Sequence, residues 1–169
     1  MKTQKKLRHL NIKLLILDVD GVLTDGKIYI SDNGIETKSF NIQDGLGLKL
    51  LLENGIDIAV ISGRKSNATK IRMRELGIKH AYFGASDKIK IFTSLKKKLC
   101  LKNENIASIG DDLPDLPIMQ QVGFSIAVAN AVPEVRKIAD YTTKNKGGDG
   151  AVREACTIIL NSKLQPHIL

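Results

Sequence analysis

Three aspartates crowd the end of an apolar run near the start of the chain. Residues 14–26 read LLILDVDGVLTDG, so Asp18, Asp20 and Asp25 lie within eight positions. Side chains two residues apart in an extended segment point to the same side, and adjacent carboxylates repel each other unless a cation lies near them. Capping of a turn or helix is the alternative, but glycines already supply a turn and no helical pattern follows directly. The spacing of Asp18 and Asp20 therefore predicts a bound cation.

Further residues that could do chemistry lie at the ends of other apolar segments or just after them. They are Ser62, Gly63, Arg64, Lys88, Asp111 and Asp112. If the apolar segments are parallel strands, their carboxyl ends meet at one edge of a sheet, where such sheets bind ligands. Together with Asp18 and Asp20, the set would bring several carboxylates, a hydroxyl and an ammonium group to one crevice.

This combination of groups suits phosphoryl transfer. Two unit charges about 4 Å apart repel by about 4 kcal/mol at an effective dielectric constant of 20, so a phosphate needs cations beside it to approach carboxylates. Oxygen ligands with open water positions select Mg²⁺, and a lysine with a hydroxyl can hold the remaining phosphate oxygens. One carboxylate can attack phosphorus while the other protonates the leaving oxygen and later activates water.

The elements that must position these groups alternate along the chain. After the first apolar run, strands are predicted at residues 56–62, 80–84 and 106–110, and helices at 44–55, 66–77 and 87–99, with a last helix beginning near Gly150. Asp44 is expected to cap the first of these helices. Residues 27–40 hold two short β-prone pieces around SDNG, which predicts a hairpin. The fold class is therefore an α/β doubly wound parallel sheet with a β-hairpin insertion after the first strand.

Composition bounds the kind of protein. A chain of 169 residues with 43% hydrophobic residues is expected to form a single domain over 1–169. No apolar run reaches membrane length, and the basic start is not followed by a cleavage site, so the protein is expected to be cytoplasmic with no membrane partner. Cys100 and Cys156 lack the spacing of a metal site and are read as buried or half-buried thiols.

The net charge of +8 is also found in proteins that bind nucleic acid. The lysines concentrate at the amino terminus and in LKKKLCLK, where a helix would carry them on a solvated face, and only 4% of residues are aromatic. No nucleic-acid partner is therefore expected, because an anionic small-molecule substrate explains the charge equally well.

Four motifs in the chain resemble those of one enzyme family. DVDGVLTDG, ISGR, SDK and GDDLPD are similar, in order and spacing, to the motifs of haloacid dehalogenase-like phosphatases. The resemblance implies that Asp18 is the nucleophile and a ligand of Mg²⁺. Asp20 would be the acid/base and a metal ligand through its backbone carbonyl, and Asp111 the remaining carboxylate ligand.

The same resemblance assigns supporting roles. Ser62 and Lys88 would bind phosphate, with Gly63 beside them. Asp112 and Asp115 would support the metal and the lysine without binding the metal themselves.

Longer segments resemble one subfamily, which hydrolyses 3-deoxy-D-manno-octulosonate 8-phosphate for lipopolysaccharide precursors. The likeness runs from about Ile12 to Leu160 and includes the tail GGDGAVREAC. No cap domain is inserted, and the resemblance implies a homotetramer in which hairpins meet and neighbouring subunits complete each active site. Arg153 in the tail would contact the neighbour's substrate, and a chain ending before Gly147 is expected to stay folded. Arg64, whose planar fork suits carboxylates, is predicted to bind the sugar acid.

Two alternatives remain open at this point. A phospho-accepting signalling module also combines a strand-end aspartate, a hydroxyl residue, a lysine and Mg²⁺, but Asp20 as an acid/base would shorten the life of its phosphoryl group. The other is a phosphatase for another ulosonate phosphate, such as a nine-carbon sugar acid, or a partner module of a sugar-activating enzyme. Residue patterns alone do not separate these substrates.

Overall fold

Residues 11–164 are described by the computed structural model of this chain. The strands are β1 (Leu14–Leu17), β2 (Tyr29–Ile30), β3 (Glu36–Thr37), β4 (Asp57–Ser62), β5 (His80–Phe83), β6 (Ile106–Gly110), β7 (Phe124–Ala127) and β8 (Tyr141–Thr142). The helices are α1 (Ile42–Glu53), α2 (Asn67–Glu75), α3 (Lys88–Lys98), α4 (Leu116–Met119), α5 (Pro133–Ile138) and α6 (Ala151–Leu164). The basic segment 1–10 lies outside the described residues.

One parallel sheet carries six of these strands. Their order is β5-β4-β1-β6-β7-β8, so β1 pairs with β4 on one side and with β6 on the other. The chain first builds the sheet outward from β1 to β5 and then crosses back to build the opposite half. The predicted doubly wound parallel α/β sheet is confirmed. Such a switch point opens a crevice at the carboxyl end of the central strand, which here ends one residue before Asp18.

The sequence of β1 suits a central strand because both of its faces are buried. All four residues of LLIL are buried, which is typical of parallel strands covered by helices on each face. Leu14 and Ile16 pack in one apolar cluster, whereas Leu15 and Leu17 pack in the other. Alternate side chains of the strand thus pack on opposite faces of the sheet, so β1 contributes to both halves of the core.

The predicted hairpin after β1 is confirmed. It forms a separate two-stranded antiparallel sheet in which Tyr29 pairs with Thr37. Gly34 adopts a φ of 78° in the turn and donates its N–H to Ser31 O at 2.8 Å, a conformation that a side chain would disfavour. Several apolar side chains of the hairpin are exposed, among them Ile28, Ile30 and Ile35.

The predicted cap of the first helix was wrong. Helix α1 begins at Ile42 and is capped by Asn41, whose side chain accepts the Gln43 N–H at 2.7 Å. Asp44 is buried and instead accepts the Arg153 N–H at 2.8 Å, so it caps α6 from a distant part of the chain. Burial raises the pKa of Asp44, although backbone N–H groups of α6 oppose that shift.

Asp44→Ala is expected to lower the free energy of unfolding by about 2 kcal/mol, because the first N–H groups of α6 lose their buried partner. Urea denaturation of the variant and of the parent measures the difference. Glu53→Ala is the matched control, since Glu53 is an exposed acid on the same helix. Equal stability of both variants would contradict the assigned cap.

The cysteines differ from each other in their surroundings. Cys156 is buried, as predicted, but Cys100 is exposed, so the prediction of a buried or half-buried thiol was wrong there. Cys100 follows α3 with a φ of 52°, where the chain turns out of the helix toward the solvent.

Within residues 11–164, no helix is both long enough and apolar enough to cross a membrane.

Candidate active site

A cleft of about 550 Å³ lies at the carboxyl edge of the sheet. It brings together eight of the residues singled out in the sequence, although they come from four separate segments. They are Asp18, Asp20, Ser62, Gly63, Arg64, Lys88, Asp111 and Asp112. The expectation that strand ends place these groups in one crevice is confirmed.

Asp18 and Lys88 form the centre of the cleft. Lys88 Nζ lies 3.0 Å from Asp18 Oδ2 and 2.8 Å from Asp115 Oδ1. Burial disfavours the charged ammonium, but Asp115 and Asp18 outweigh it and keep the pKa of Lys88 above its ordinary value. Burial, reinforced by Asp115, raises the pKa of Asp18 to about 6 despite the lysine. The site therefore holds more negative charge than this one lysine neutralises.

Asp111 shares that excess of negative charge. Burial, followed by the charges of Asp115 and Asp18, raises its pKa to about 7. Gly21 is in contact with this carboxylate, since a β-carbon at Gly21 would lie 2.0 Å from Asp111 Oδ2. The glycine after Asp20 thus lets the loop after β1 approach the end of β6, and its φ of 93° also favours glycine.

Asp115 holds other residues of the site in place through both of its carboxylate oxygens. Its Oδ1 accepts from Lys88, and its Oδ2 accepts the N–H groups of Asp111 and Asp112 at 3.1 and 3.4 Å. It therefore fixes both the lysine and the loop after β6. The side chain of Asp112 accepts the Leu113 N–H at 2.7 Å and so helps to shape the same loop.

Ser62 is the last residue of β4, and Arg64 lies two residues further on, after Gly63. The Ser62 side chain is buried, and its Oγ accepts the Arg64 N–H at 3.3 Å. The side chain of Arg64 is 46% exposed at the rim, where its guanidinium pairs with Glu36 and its Nε lies 4.0 Å from Asp20 Oδ2. The hydroxyl thus lies inside the cleft and the guanidinium at its mouth.

Sequence reasoning missed Lys38, which pairs with Asp20. Lys38 Nζ contacts Asp20 Oδ1 and also lies 3.3 Å from Glu36 Oε1. A signal was present, because Glu36 and Lys38 are two residues apart beside a predicted strand and so point to one side of the hairpin. On that side Lys38 contacts Asp20 and Glu36 contacts Arg64, two residues that line the cleft.

Comparison with known proteins agrees with this geometry. The haloacid dehalogenase-like hydrolase family matches residues 82–154. The 3-deoxy-D-manno-octulosonate 8-phosphate phosphatase of Escherichia coli strain K12 is 51% identical over 150 residues, which are 89% of this chain and 80% of that protein. The chain belongs to the 3-deoxy-D-manno-octulosonate 8-phosphate phosphatase family. It is therefore a phosphatase of the haloacid dehalogenase-like class, and the predicted family and activity class are confirmed.

Solved structures of this phosphatase family share the fold. The Yersinia pestis enzyme has a TM-score of 0.91 and 47% identity, covering 94% of this chain and 85% of that one. The Moraxella catarrhalis enzyme, in complex with a magnesium ion, a phosphate ion and KDO, has a TM-score of 0.90 and 45% identity. That match covers 95% of this chain and 91% of the other.

The acidic cluster of this phosphatase fits a magnesium ion. Carboxylate oxygens of Asp18, Asp111 and Asp115 lie within 4.8 Å of one another. Both oxygens of Asp115 are already bonded, whereas Asp18 Oδ1 and Asp111 Oδ1 are buried with no hydrogen-bond partner. Two buried, unpaired carboxylate oxygens favour a hard divalent cation, which agrees with the predicted cofactor. Asp18 and Asp111 are thus better placed than Asp115 to hold it.

The glycine-rich tail segment packs against the loop after Asp20. A β-carbon at Gly147 would lie 1.7 Å from Gly21 O, and the Gly148 N–H donates to Val22 O at 3.0 Å. Helix α6 then buries five side chains in the core, those of Ala151, Val152, Ala155, Cys156 and Ile159. This packing argues against the expectation that a chain ending before Gly147 stays folded.

Arg153 is not among the residues that line the cleft of its own chain. It lies on α6 where that helix packs against α1, so closely that a β-carbon at Gly47 would be 3.2 Å from Arg153 Cα. Its predicted contact with substrate therefore depends on a neighbouring subunit.

Proposed function

We propose that this protein hydrolyses 3-deoxy-D-manno-octulosonate 8-phosphate to the free sugar acid and inorganic phosphate. The observation that carries the proposal is the pairing of Asp18 with Lys88 beside the unpaired oxygens of Asp18 and Asp111, in a chain 51% identical to a phosphatase of that name. The related Moraxella structure with magnesium, phosphate and KDO supports the same substrate class. The reaction would supply sugar acid for lipopolysaccharide precursors in the cytoplasm.

The chemistry divides between the two aspartates of DVDG. Asp18 attacks phosphorus and forms an aspartyl phosphate as the bond from phosphorus to the sugar oxygen breaks. Asp20 gives its proton to that oxygen, which leaves as the sugar hydroxyl. Asp20 then takes a proton from water as the water attacks the aspartyl phosphate, so that phosphate leaves and both carboxylates return to their starting state.

Positively charged groups let the phosphate approach these carboxylates. We assign the magnesium ligands to the side chains of Asp18 and Asp111 and to the backbone carbonyl of Asp20. The bound ion would neutralise charge on the phosphate and orient it. Lys88 is a catalytic residue that holds a phosphate oxygen beside Asp18, and the Ser62 hydroxyl with the backbone at Gly63 holds another.

Arg64 is suited to the far end of the substrate. Its guanidinium lies at the mouth of the cleft, half exposed, where a fork of N–H donors can bind a carboxylate at two points. We assign Arg64 to the carboxylate of the sugar acid. In this structure the Glu36 carboxylate occupies that position, and the substrate would replace it as the partner of Arg64. Asp112 and Asp115 keep the metal loop and Lys88 in position.

Phosphate release across a panel of substrates tests the function. The panel holds the eight-carbon and nine-carbon keto sugar acid phosphates and a sugar phosphate without a carboxylate, each with and without Mg²⁺. We expect Mg²⁺-dependent turnover with the highest kcat/KM for the eight-carbon acid. A preference for the nine-carbon acid would contradict the proposed substrate and identify the nine-carbon acid phosphate in its place. A stable phosphoprotein without turnover would favour the signalling module.

We also propose that the protein is a homotetramer whose neighbouring subunits complete each active site, with Arg153 reaching a partner's substrate. Its support is the exposed apolar side of the hairpin, since an isolated two-stranded sheet is marginal in water. Ile30→Asp, at a side chain that is 67% exposed, is expected to convert a species of four 18.5 kDa chains into smaller ones. Sedimentation measures this, with Ile30→Val as the control. An unchanged mass for Ile30→Asp would contradict a hairpin interface.

A further inference from the structure

Each of the two aspartates in DVDG has a lysine of its own. Asp18 pairs with Lys88 on α3, whereas Asp20 pairs with Lys38, which follows β3 of the hairpin. The side chain of Lys38 is only 4% exposed, although it is carried on a hairpin that is otherwise largely open to solvent. A lysine so buried needs a negative partner, and Asp20 and Glu36 supply it.

We propose that Lys38 is a positioning residue that holds the Asp20 carboxylate toward the leaving-group oxygen of the substrate. The inference rests on the acid/base role of Asp20 in the proposed function. It adds a task for the hairpin, because the hairpin carries the group that orients the acid.

The contacts around Asp20 support this assignment. Lys38 binds its Oδ1, while the nearest other cation, Arg64 Nε, lies 4.0 Å from Oδ2. Glu36 pairs with both cations in this structure, so its carboxylate lies between them. Without Lys38, the Asp20 side chain would be held only by an arginine that is itself half exposed.

Direction matters because Asp18 and Asp20 must serve opposite ends of one bond. Asp18 attacks phosphorus, and the leaving oxygen departs on the opposite side in an in-line displacement. Lys88 draws the Asp18 carboxylate toward the start of α3, and Lys38 draws the Asp20 carboxylate toward the hairpin. Two separate ion pairs thus keep the carboxylates apart, with the acid on the side where the sugar leaves.

A positioned acid matters in proportion to how much the leaving group needs a proton. A sugar alkoxide is a poor leaving group and needs the proton, whereas p-nitrophenolate leaves without it. Lys38→Met is therefore expected to lower the first-turnover rate of leaving-group release by about 100-fold for the sugar acid phosphate and by less than about 5-fold for p-nitrophenyl phosphate. The first turnover is compared because hydrolysis of the aspartyl phosphate needs Asp20 with either substrate. Lys38→Arg should restore part of the loss for the sugar phosphate, because it keeps the charge at that place.

The controls separate positioning from a general structural role. Lys27→Met removes a lysine of the same hairpin whose side chain is 73% exposed, and it should leave both rates unchanged. The melting temperature with and without Mg²⁺ is measured for each variant. If Lys38→Met lowers both rates equally, or raises only KM for the sugar acid phosphate, the positioning role is overturned. If Lys38→Met fails to fold, Lys38→Arg and Lys38→Gln are tested in its place. The ratio of the rate for the sugar acid phosphate to the rate for p-nitrophenyl phosphate is then compared with that of the parent, and an unchanged ratio in both variants overturns the positioning role.

Asp20→Asn in the same assay distinguishes the inference from its premise. A strong leaving-group dependence for Asp20→Asn but none for Lys38→Met overturns the role of Lys38 alone. Equal loss of the first-turnover rate on both substrates for Asp20→Asn overturns the proposed acid role of Asp20, and the inference with it. Matching dependence in both variants supports the assignment.

Discussion

Asp18→Asn is expected to lower kcat by at least about 1000-fold, because the amide keeps the shape of the side chain but lacks the attacking oxygen anion. Asp18 follows the last residue of the central strand and lies 3.0 Å from Lys88, whereas the other carboxylate beside Lys88, that of Asp115, is already bonded through both of its oxygens. Phosphate release from the sugar acid phosphate measures the loss. Rapid quenching with radiolabelled substrate measures the second consequence, which is that the variant forms no acid-stable phosphoprotein.

The matched control is Asp25→Asn in the same motif. Asp25 is half-buried, accepts the Tyr29 hydroxyl at 2.6 Å and is not among the residues that line the cleft. This variant should keep nearly the parent rate. If Asp18→Asn retained turnover within about tenfold of the parent, the nucleophile would be another residue and the proposed mechanism would fail.

Asp111→Asn is expected to stabilise the metal-free protein at pH 8 and to abolish its stabilisation by Mg²⁺. The folded-state pKa of Asp111, about 7, lies above its ordinary value of 3.8. The folded protein therefore binds more protons than the unfolded chain between those values, so Asp111 lowers stability as the pH rises through that window. At pH 8 the full cost is present, and an amide removes it. We expect the melting temperature without metal to rise by about 5 °C.

Mg²⁺ should reverse this comparison, because it stabilises the parent protein but not the Asp111→Asn variant. The parent protein should gain thermal stability from Mg²⁺ at pH 8 and much less at pH 5, where a protonated Asp111 no longer attracts the ion. Asp111→Asn should show little gain at either pH. Asp57→Asn, at an exposed position at the amino end of β4, should behave as the parent does. A normal Mg²⁺ shift in Asp111→Asn would remove Asp111 from the ligand set.

Local patterns predicted the elements that carry the site. The buried run of β1, the SDNG turn and the alternation of strands with helices are properties of short segments, and all of them appear in the structure. The cap of α1 was missed by three positions, because Asn41 and Asp44 are both capable of capping and only packing distinguishes them. Local preference is weak where two residues can satisfy the same backbone groups.

The residue types at the strand ends were sufficient to predict most of the site. Parallel strands direct their carboxyl ends to one edge, so Asp18, Ser62 and Asp111 had to meet once the strand order was known. Lys88 was predictable for the same reason, since α3 begins at that edge. Its pairing with Asp115 follows from the short loop after β6.

Tertiary structure alone decided the contacts between distant segments. Asp44 caps a helix that begins more than a hundred residues later, and Lys38 reaches Asp20 only because the end of the hairpin packs beside the loop after β1. Gly147 had to be glycine because Gly21 O approaches it, a demand that neither segment shows by itself. Periodicity and turn preferences act over a few residues, so they set the strands and the ends where chemistry collects. Ion pairs and close backbone contacts across the chain depend on how the layers pack, and they therefore required the structure.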